Sequence, residues 1–251
     1  MLRPFCLFSV LALAGVPALA QPGQSITVSA AASLKDVLAR LGSDFQKANP
    51  NARLNFNFGS SGTLRAQIEA GAPVDLFIAA DDANMNTLER ARLVEPKSRL
   101  VLAGNRLALV VPFDSQLGLR SFRDLARVDV SRIAIGAPSV PAGQRAREVF
   151  ERLGIWPQIE AKSVRGKDVR QTLGQVEQGN VEAGVVYLSD AATTDRVRVV
   201  AVAPRSFHAP IRYPAALVSG SKNRVLAARF LAFLSSSRAK SVWKAAHFVV
   251  R

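Results

Sequence analysis

Two hydrophobic rhythms alternate along the chain. Residues 25–31, "SITVSAA", form a β-branched run, after which Leu34, Val37, Leu38, Leu41 and Phe45 recur at helical spacing. "RLNFNF" (53–58) puts Leu54, Phe56 and Phe58 on one face of a strand. Leu64 and Ile68 then mark a helix that Gly71 and Pro73 stop. "VDLFIAA" (74–80) is apolar throughout, as a strand covered on both faces must be. A short helix, "NTLERARL" (86–93), closes this first series.

The pattern restarts with a strand, "LALVVP" (107–112), a short helix, "SFRDLA" (121–126), and a strand, "RIAIGAP" (132–138). A helix through Ala146, Val149, Phe150 and Leu153 ends at Gly154, and another carries Val169, Leu173 and Val176. Strands "AGVVYL" (183–188), "VRVVAVA" (197–203) and "AALVS" (215–219) precede a long helix, "VLAARFLAFLSS" (225–236). Strand–helix alternation predicts an α/β fold of mainly parallel sheets flanked by helices. There is no repeat, low-complexity tract or Gly/Ser linker. Two similar units without a linker imply two lobes joined by crossing strands, with a ligand cleft between them at the carboxyl ends of the strands. The expected division is lobe I over 25–104, with 211–251 returning to it, and lobe II over 105–210.

The length of 251 residues suffices for two such lobes. Residues 1–20 read as a cleavable secretory signal: Arg3, an apolar run from Phe5 to Leu13, then Ala18-Leu19-Ala20 before Gln21. The run is too short for a membrane span, and no basic stop-transfer cluster follows it. Cleavage removes Cys6, the one cysteine, and excludes disulfides and thiolate metal sites from the mature chain. It also removes Arg3, leaving 32 basic against 19 acidic residues, a formal charge of +13. The basic residues are scattered and not interleaved with aromatics, so they describe a solvated surface that steers small anions and not a nucleic-acid face.

Four strand-to-helix junctions share one chemistry. "AAASLKD" holds Ser33, with Asp36 at capping-box spacing. "FGSSGTL" holds Ser60 and Ser61 without a charge. "SVPAGQRA" puts Pro141 at a first helical position, followed by the bare backbone of Ala142 and Gly143. "GKDVRQTL" offers Asp168 as an N-cap before Val169. Each serine reads equally well as a plain cap or as an anion ligand, because both roles use the free N–H groups of a first helical turn. Tyr187, at the end of an apolar strand, fits a core position as well as a site.

In "ITVSAAASL", "FGSSGTLRAQIEAGAPVDLFIAAD", "VPAGQRAREVFERLG", "DVRQTLGQVEQGNVEAGVVYLSDA" and "YPAALV", the chain resembles the molybdate-binding periplasmic proteins that feed ABC transporters. The blocks run in order from about Ile26 to the C-terminus. The resemblance implies a two-lobed type II periplasmic binding protein fold and an oxyanion ligand, molybdate or tungstate, held without charged side chains. Matched position by position, it implies Ser33, Ser61, Ala142, Val169 and Tyr187 as ligands, with Ser60 and Asp168 beside them. Gly62 departs from the pattern, which has a serine there, and is expected to loosen its loop. The resemblance further implies a monomer that delivers its anion to an inner-membrane permease and carries no cofactor.

Such a site makes physical sense. A buried dianion is costly unless fully hydrogen-bonded, and neutral dipoles aimed inward can satisfy it. They disfavour an anion that keeps a proton, because that proton needs an acceptor. Sulfate, thiosulfate and phosphate remain alternatives, since pocket size decides among them. A hydrolase is disfavoured: "FGSSGT" is not a G-x-S-x-G elbow, and Asp75, Asp81 and Asp82 sit where caps and turns are expected. His208 and His247 stand far from the junctions, and an iron-type site would need more tyrosines, histidines or carboxylates than they offer.

Overall fold

A computed structural model of the chain describes residues 24–250; the expected signal segment lies outside them. The first half runs β1 (Gln24–Ala31), α1 (Lys35–Ala48), β2 (Ala52–Gly59), α2 (Ser61–Glu69), β3 (Leu76–Ile78), α3 (Asp82–Arg90) and β4 (Leu100–Gly104). The second unit runs β5 (Leu107–Pro112), β6 (Ile133–Gly136), α4 (Pro141–Leu153), α5 (Trp156–Ala161), β7 (Ser163–Gly166), α6 (Val169–Glu177), β8 (Ala183–Tyr187), α7 (Leu188–Ala191) and β9 (Val197–Val202). The chain then adds β10 (Arg212–Leu217), α8 (Arg224–Leu234) and α9 (Ser237–Ala245).

The strands form two five-stranded sheets, ordered β2-β1-β3-β10-β4 and β7-β6-β8-β5-β9. Each is the centre of one lobe. The chain passes from the first to the second between β4 and β5, and returns between β9 and β10. Both sheets are mainly parallel, as the alternation of strands and helices predicts, with four strands of each running one way and one reversed. In the first, β2, β1 and β3 pair parallel, and β10 is antiparallel to both β3 and β4. In the second, β7, β6 and β8 pair parallel, and β5 is antiparallel to β8 and β9. The reversed strands are the two that cross between lobes. Each enters its sheet from the cleft side: Leu107 at the start of β5 faces Tyr187 at the end of β8, and Arg212 at the start of β10 faces Gly104 at the end of β4.

Helices α1, α2, α4, α6 and α8 turn apolar residues to a sheet. Val37, Leu38, Leu41 and Phe45 of α1 are buried, as the spacing predicts. Phe45 stacks edge-on against Phe230 of α8, with ring centroids 5.1 Å apart. The elements β4, α5, β7, α7 and α9 have no counterpart in the sequence pattern, and Leu188, expected at the end of a strand, begins α7. β7 is only "SVRG", and α9, "SRAKSVWKA", is a mostly polar helix with Ala239, Val242 and Trp243 buried.

Strands β1, β2, β6 and β7 all end at the cleft, each followed by a helical start. This brings the four junctions together. Gly143 makes one of these turns possible: a Cβ there would lie 2.1 Å from the carbonyl oxygen of Gly136, so only glycine lets the first turn of α4 sit against the end of β6.

Candidate functional site

The cleft holds a cavity of about 210 Å³, measured to its open mouth. Its lining includes Ser33, Ser60, Ser61, Ala142, Asp168, Val169 and Tyr187. Every site residue expected from the sequence thus meets the others in one place. Most of that space is open mouth, and the enclosed part suits a small ion.

Of the three cleft serines, Ser33 and Ser61 are not helix caps. Ser60 caps α2, its hydroxyl accepting from Thr63 N–H at 3.1 Å. That leaves Ser61, the first residue of the helix, to another role. Its Oγ accepts from the backbone N–H of Ala80 at 2.9 Å, and it is fully buried. With that acceptor position used, its own proton is available to the cavity. Ser33 lies in a single 3-10 turn (Ala32–Leu34) that leads into α1, and no side chain caps either start. Its Oγ lies 3.0 Å from the hydroxyl of Tyr213. The capping box expected between Ser33 and Asp36 is therefore absent. Asp36 reaches across the cleft to Arg170 instead, at 2.5 Å, because an opposite charge on the facing lobe offers more than a turn the backbone already closes.

Ala142 and Val169 contribute backbone. Ala142 is the second residue of α4 and Val169 the first of α6, and the N–H groups of a first turn have no partner within their helix. Together with α2, three helices begin at the cavity, each with a positive end equivalent to about half a charge. Asp168 caps α6, its Oδ1 accepting from Gln171 N–H at 2.8 Å. It lines the cavity as well, so one carboxylate stands at the edge of the neutral donor set.

Tyr187 ends β8 and is 1% exposed. Its hydroxyl is buried and has no hydrogen-bond partner in the protein. An unmade bond of this kind costs on the order of 1–3 kcal/mol, and Tyr187 is one of the residues that line the cavity. Burial, helped by Tyr213 and Asp81, pushes the Tyr187 phenol well above its ordinary range, so it remains a neutral donor.

Three features escape the sequence reading. Tyr213 and Asn105 sit behind Ser33, both buried. Tyr213 falls within the "YPAALV" block, but nothing in the spacing singles it out, and Asn105 lies in the crossing between lobes with no pattern around it. The third is Arg170, which pairs with Asp36 of lobe I and lies 2.8 Å from the fully buried Asp190 of lobe II. The Asp190 contact is an ion pair without hydrogen-bond alignment. Burial pushes the Asp190 carboxyl up to about 7, and Arg170 opposes that rise.

Gly62 does not loosen its loop. It is the second residue of α2, and a Cβ on it would lie 2.7 Å from the backbone oxygen of Ser139 in the other lobe. The missing side chain lets the two lobes approach.

Comparison with known proteins identifies the family. Residues 26–249 match the family model of bacterial extracellular solute-binding proteins. The molybdate-binding protein ModA of Haemophilus influenzae is 36% identical over 241 residues, covering 93% of each chain. The molybdate-binding protein ModA of Escherichia coli is 36% identical over 244 residues, covering 93% of this chain and 92% of its own. Among solved structures, the periplasmic molybdate-binding protein of Azotobacter vinelandii superposes with a TM-score of 0.81 at 25% identity, over 90% of this chain and 99% of that one. With its two mixed-sheet lobes and the cleft between them, the chain belongs to the family of bacterial extracellular solute-binding proteins.

Proposed function

We propose that the protein is the substrate-binding component of a molybdate and tungstate ABC importer. It takes one tetrahedral oxyanion between its lobes outside the cytoplasm and presents it, as a monomer, to a membrane permease. Ser33 and Ser61 donate from lobe I; Ala142 N–H, Val169 N–H and the Tyr187 hydroxyl donate from lobe II. An anion reached from both sides binds the closed arrangement better than the open one, and that difference in affinity closes the lobes. The role is binding and not catalysis.

The observation that carries the reading is the buried, unpartnered hydroxyl of Tyr187, a residue that lines a small cavity ringed by three helix N-termini. Neutral donors explain the choice of ion. Molybdate and tungstate bring no proton near neutral pH, so every donor finds an acceptor. Hydrogen phosphate brings a proton, and the five donors include no carboxylate to take it; the one at the cavity edge, Asp168, is already engaged in capping α6. The strong basic charge of the chain adds long-range steering that salt screens.

Isothermal titration of the protein with molybdate, tungstate, sulfate and phosphate at two salt concentrations tests the proposal. One-to-one binding of molybdate and tungstate, with sulfate and phosphate much weaker, is the expected result. Preferred binding of sulfate or phosphate would keep the fold and replace the substrate. No heat with any of the four would overturn the function.

A further inference from the structure

Behind Ser33 runs a chain of hydrogen bonds with one direction. The backbone N–H of Arg106 can only donate, and it donates to Asn105 Oδ1 at 2.8 Å. That fixes the orientation of the amide, so Asn105 Nδ2 is the donor on the other side. It donates to Ser189 Oγ at 2.7 Å and to the Tyr213 hydroxyl at 3.0 Å. Tyr213, fully buried, accepts there and has Ser33 Oγ within reach of its own proton, at 3.0 Å. Were Ser33 to donate to Tyr213 instead, the phenol proton would be left without an acceptor in a dry interior. The favoured order is therefore Arg106 N–H to Asn105, Asn105 to Tyr213, Tyr213 to Ser33, which leaves the Ser33 proton for the cavity.

We propose that Asn105 and Tyr213 are positioning residues that lock Ser33 as a proton donor and thereby set the preference for anions that carry no proton. This rests on the oxyanion-binding reading above and deepens it. Ser61 is held in the same sense by Ala80 N–H, so both serines face the anion as donors. The Asn105 end of the relay lies in the crossing between β4 and β5 and touches Ser189 of lobe II, so the wiring of Ser33 depends on both lobes. With Tyr213 on one lone pair of Ser33 and the Ser33 proton turned to the cavity, an anion O–H facing Ser33 must compete with that proton for a single remaining lone pair, whereas a bare anion oxygen accepts from it directly.

Substitution Asn105→Asp reverses the relay. A carboxylate accepts from Arg106 N–H and also from the Tyr213 proton; Tyr213 then accepts from Ser33, and Ser33 shows lone pairs to the cavity. The probes are molybdate and hydrogen arsenate at pH 8. Both are tetrahedral dianions of similar size, and only the arsenate carries a proton. The new negative charge repels both alike, so the ratio of their affinities isolates the relay. The wild type should prefer molybdate, and Asn105→Asp should lower that ratio by about tenfold or more, the equivalent of one hydrogen bond to a charged group. Tyr213→Phe removes a single oxygen and the last donor of the relay, and should lower the ratio in the same direction by a smaller factor. It decides the matter if Asn105→Asp does not fold. A ratio unchanged in the folded variants, with both anions weakened equally, would overturn the relay alone. A wild type that binds no molybdate would overturn the function and the relay with it.

Discussion

Substitution Gly62→Ala separates lobe closure from fold stability because it moves them in opposite directions. Gly62 lies in the first turn of α2 with an ordinary helical backbone, so alanine fits its own helix. Alanine is favoured over glycine inside a helix by about 1 kcal/mol, and the gain is present with the lobes apart or together. The cost appears only when the lobes meet. The added Cβ would lie 2.7 Å from Ser139 O and 3.1 Å from Ser139 Cβ, and the nearest atom is backbone, which cannot turn aside as a side chain can. Overpacking of this kind costs about 1–3 kcal/mol, and all of it falls on the closed state. Affinity for molybdate should therefore drop by about fivefold to 150-fold, while the ligand-free protein melts at the same temperature or slightly higher. Titration calorimetry and thermal melts of the same samples read the two effects. An unchanged affinity would refute the close approach of the lobes at Gly62. A lower melting temperature together with the lower affinity would place the damage in α2 itself and refute the argument.

Other perturbations follow from the same geometry. Tyr187→Phe removes the unpartnered buried hydroxyl: molybdate affinity should fall by about 1–3 kcal/mol, and the ligand-free protein should be no less stable by chemical denaturation, since no protein bond is lost. Ser61→Ala should weaken molybdate binding and also cost stability, because Ala80 N–H loses its acceptor; a change in affinity alone would contradict the bond. Ser33→Ala should weaken every oxyanion that binds, by about 1–3 kcal/mol, and an affinity unchanged for all of them would return Ser33 to a purely structural place. Asp190 supplies a pH test. Its folded carboxyl is raised to about 7 from 3.8, chiefly by burial. A raised acid favours folding below the unfolded value, and that contribution is lost as pH climbs through about 7. The stability of Asp190→Asn relative to wild type should therefore rise between pH 4 and pH 8, by at most about 4 kcal/mol. Denaturation curves that keep a constant difference across that range would show that Asp190 does not titrate there.

Much of the molecule is legible in its sequence, and the remainder is hidden for identifiable reasons. Strong periodicity marks α1 and α8, and continuous apolar runs mark β3, β5 and β8, because their burial is dictated by residues close together in the chain. β4 and β7 are short: Leu100–Gly104 and Ser163–Gly166 become strands only because β10 and β6 stand ready beside them. The antiparallel setting of β5 and β10 is likewise a property of the crossings, which local pattern does not encode. At the site, helix starts and cap residues locate the four junctions, and the motif blocks assemble them. Local spacing could not tell Ser60, which caps, from Ser61, which does not, since that depends on Ala80 arriving from another strand. The partners Tyr213 of Ser33 and Arg170 of Asp36 lie 180 and 134 residues away along the chain.

The central claim is that one oxyanion sits between the lobes on neutral donors from both. Crystals of the protein grown with molybdate, measured at the molybdenum absorption edge, test it most directly. The account predicts a single anomalous peak in the cleft, within hydrogen-bond reach of Ser33 Oγ, Ser61 Oγ, the N–H groups of Ala142 and Val169, and the Tyr187 hydroxyl. A peak on a surface patch of arginines or lysines, or one contacting a single lobe, would contradict it.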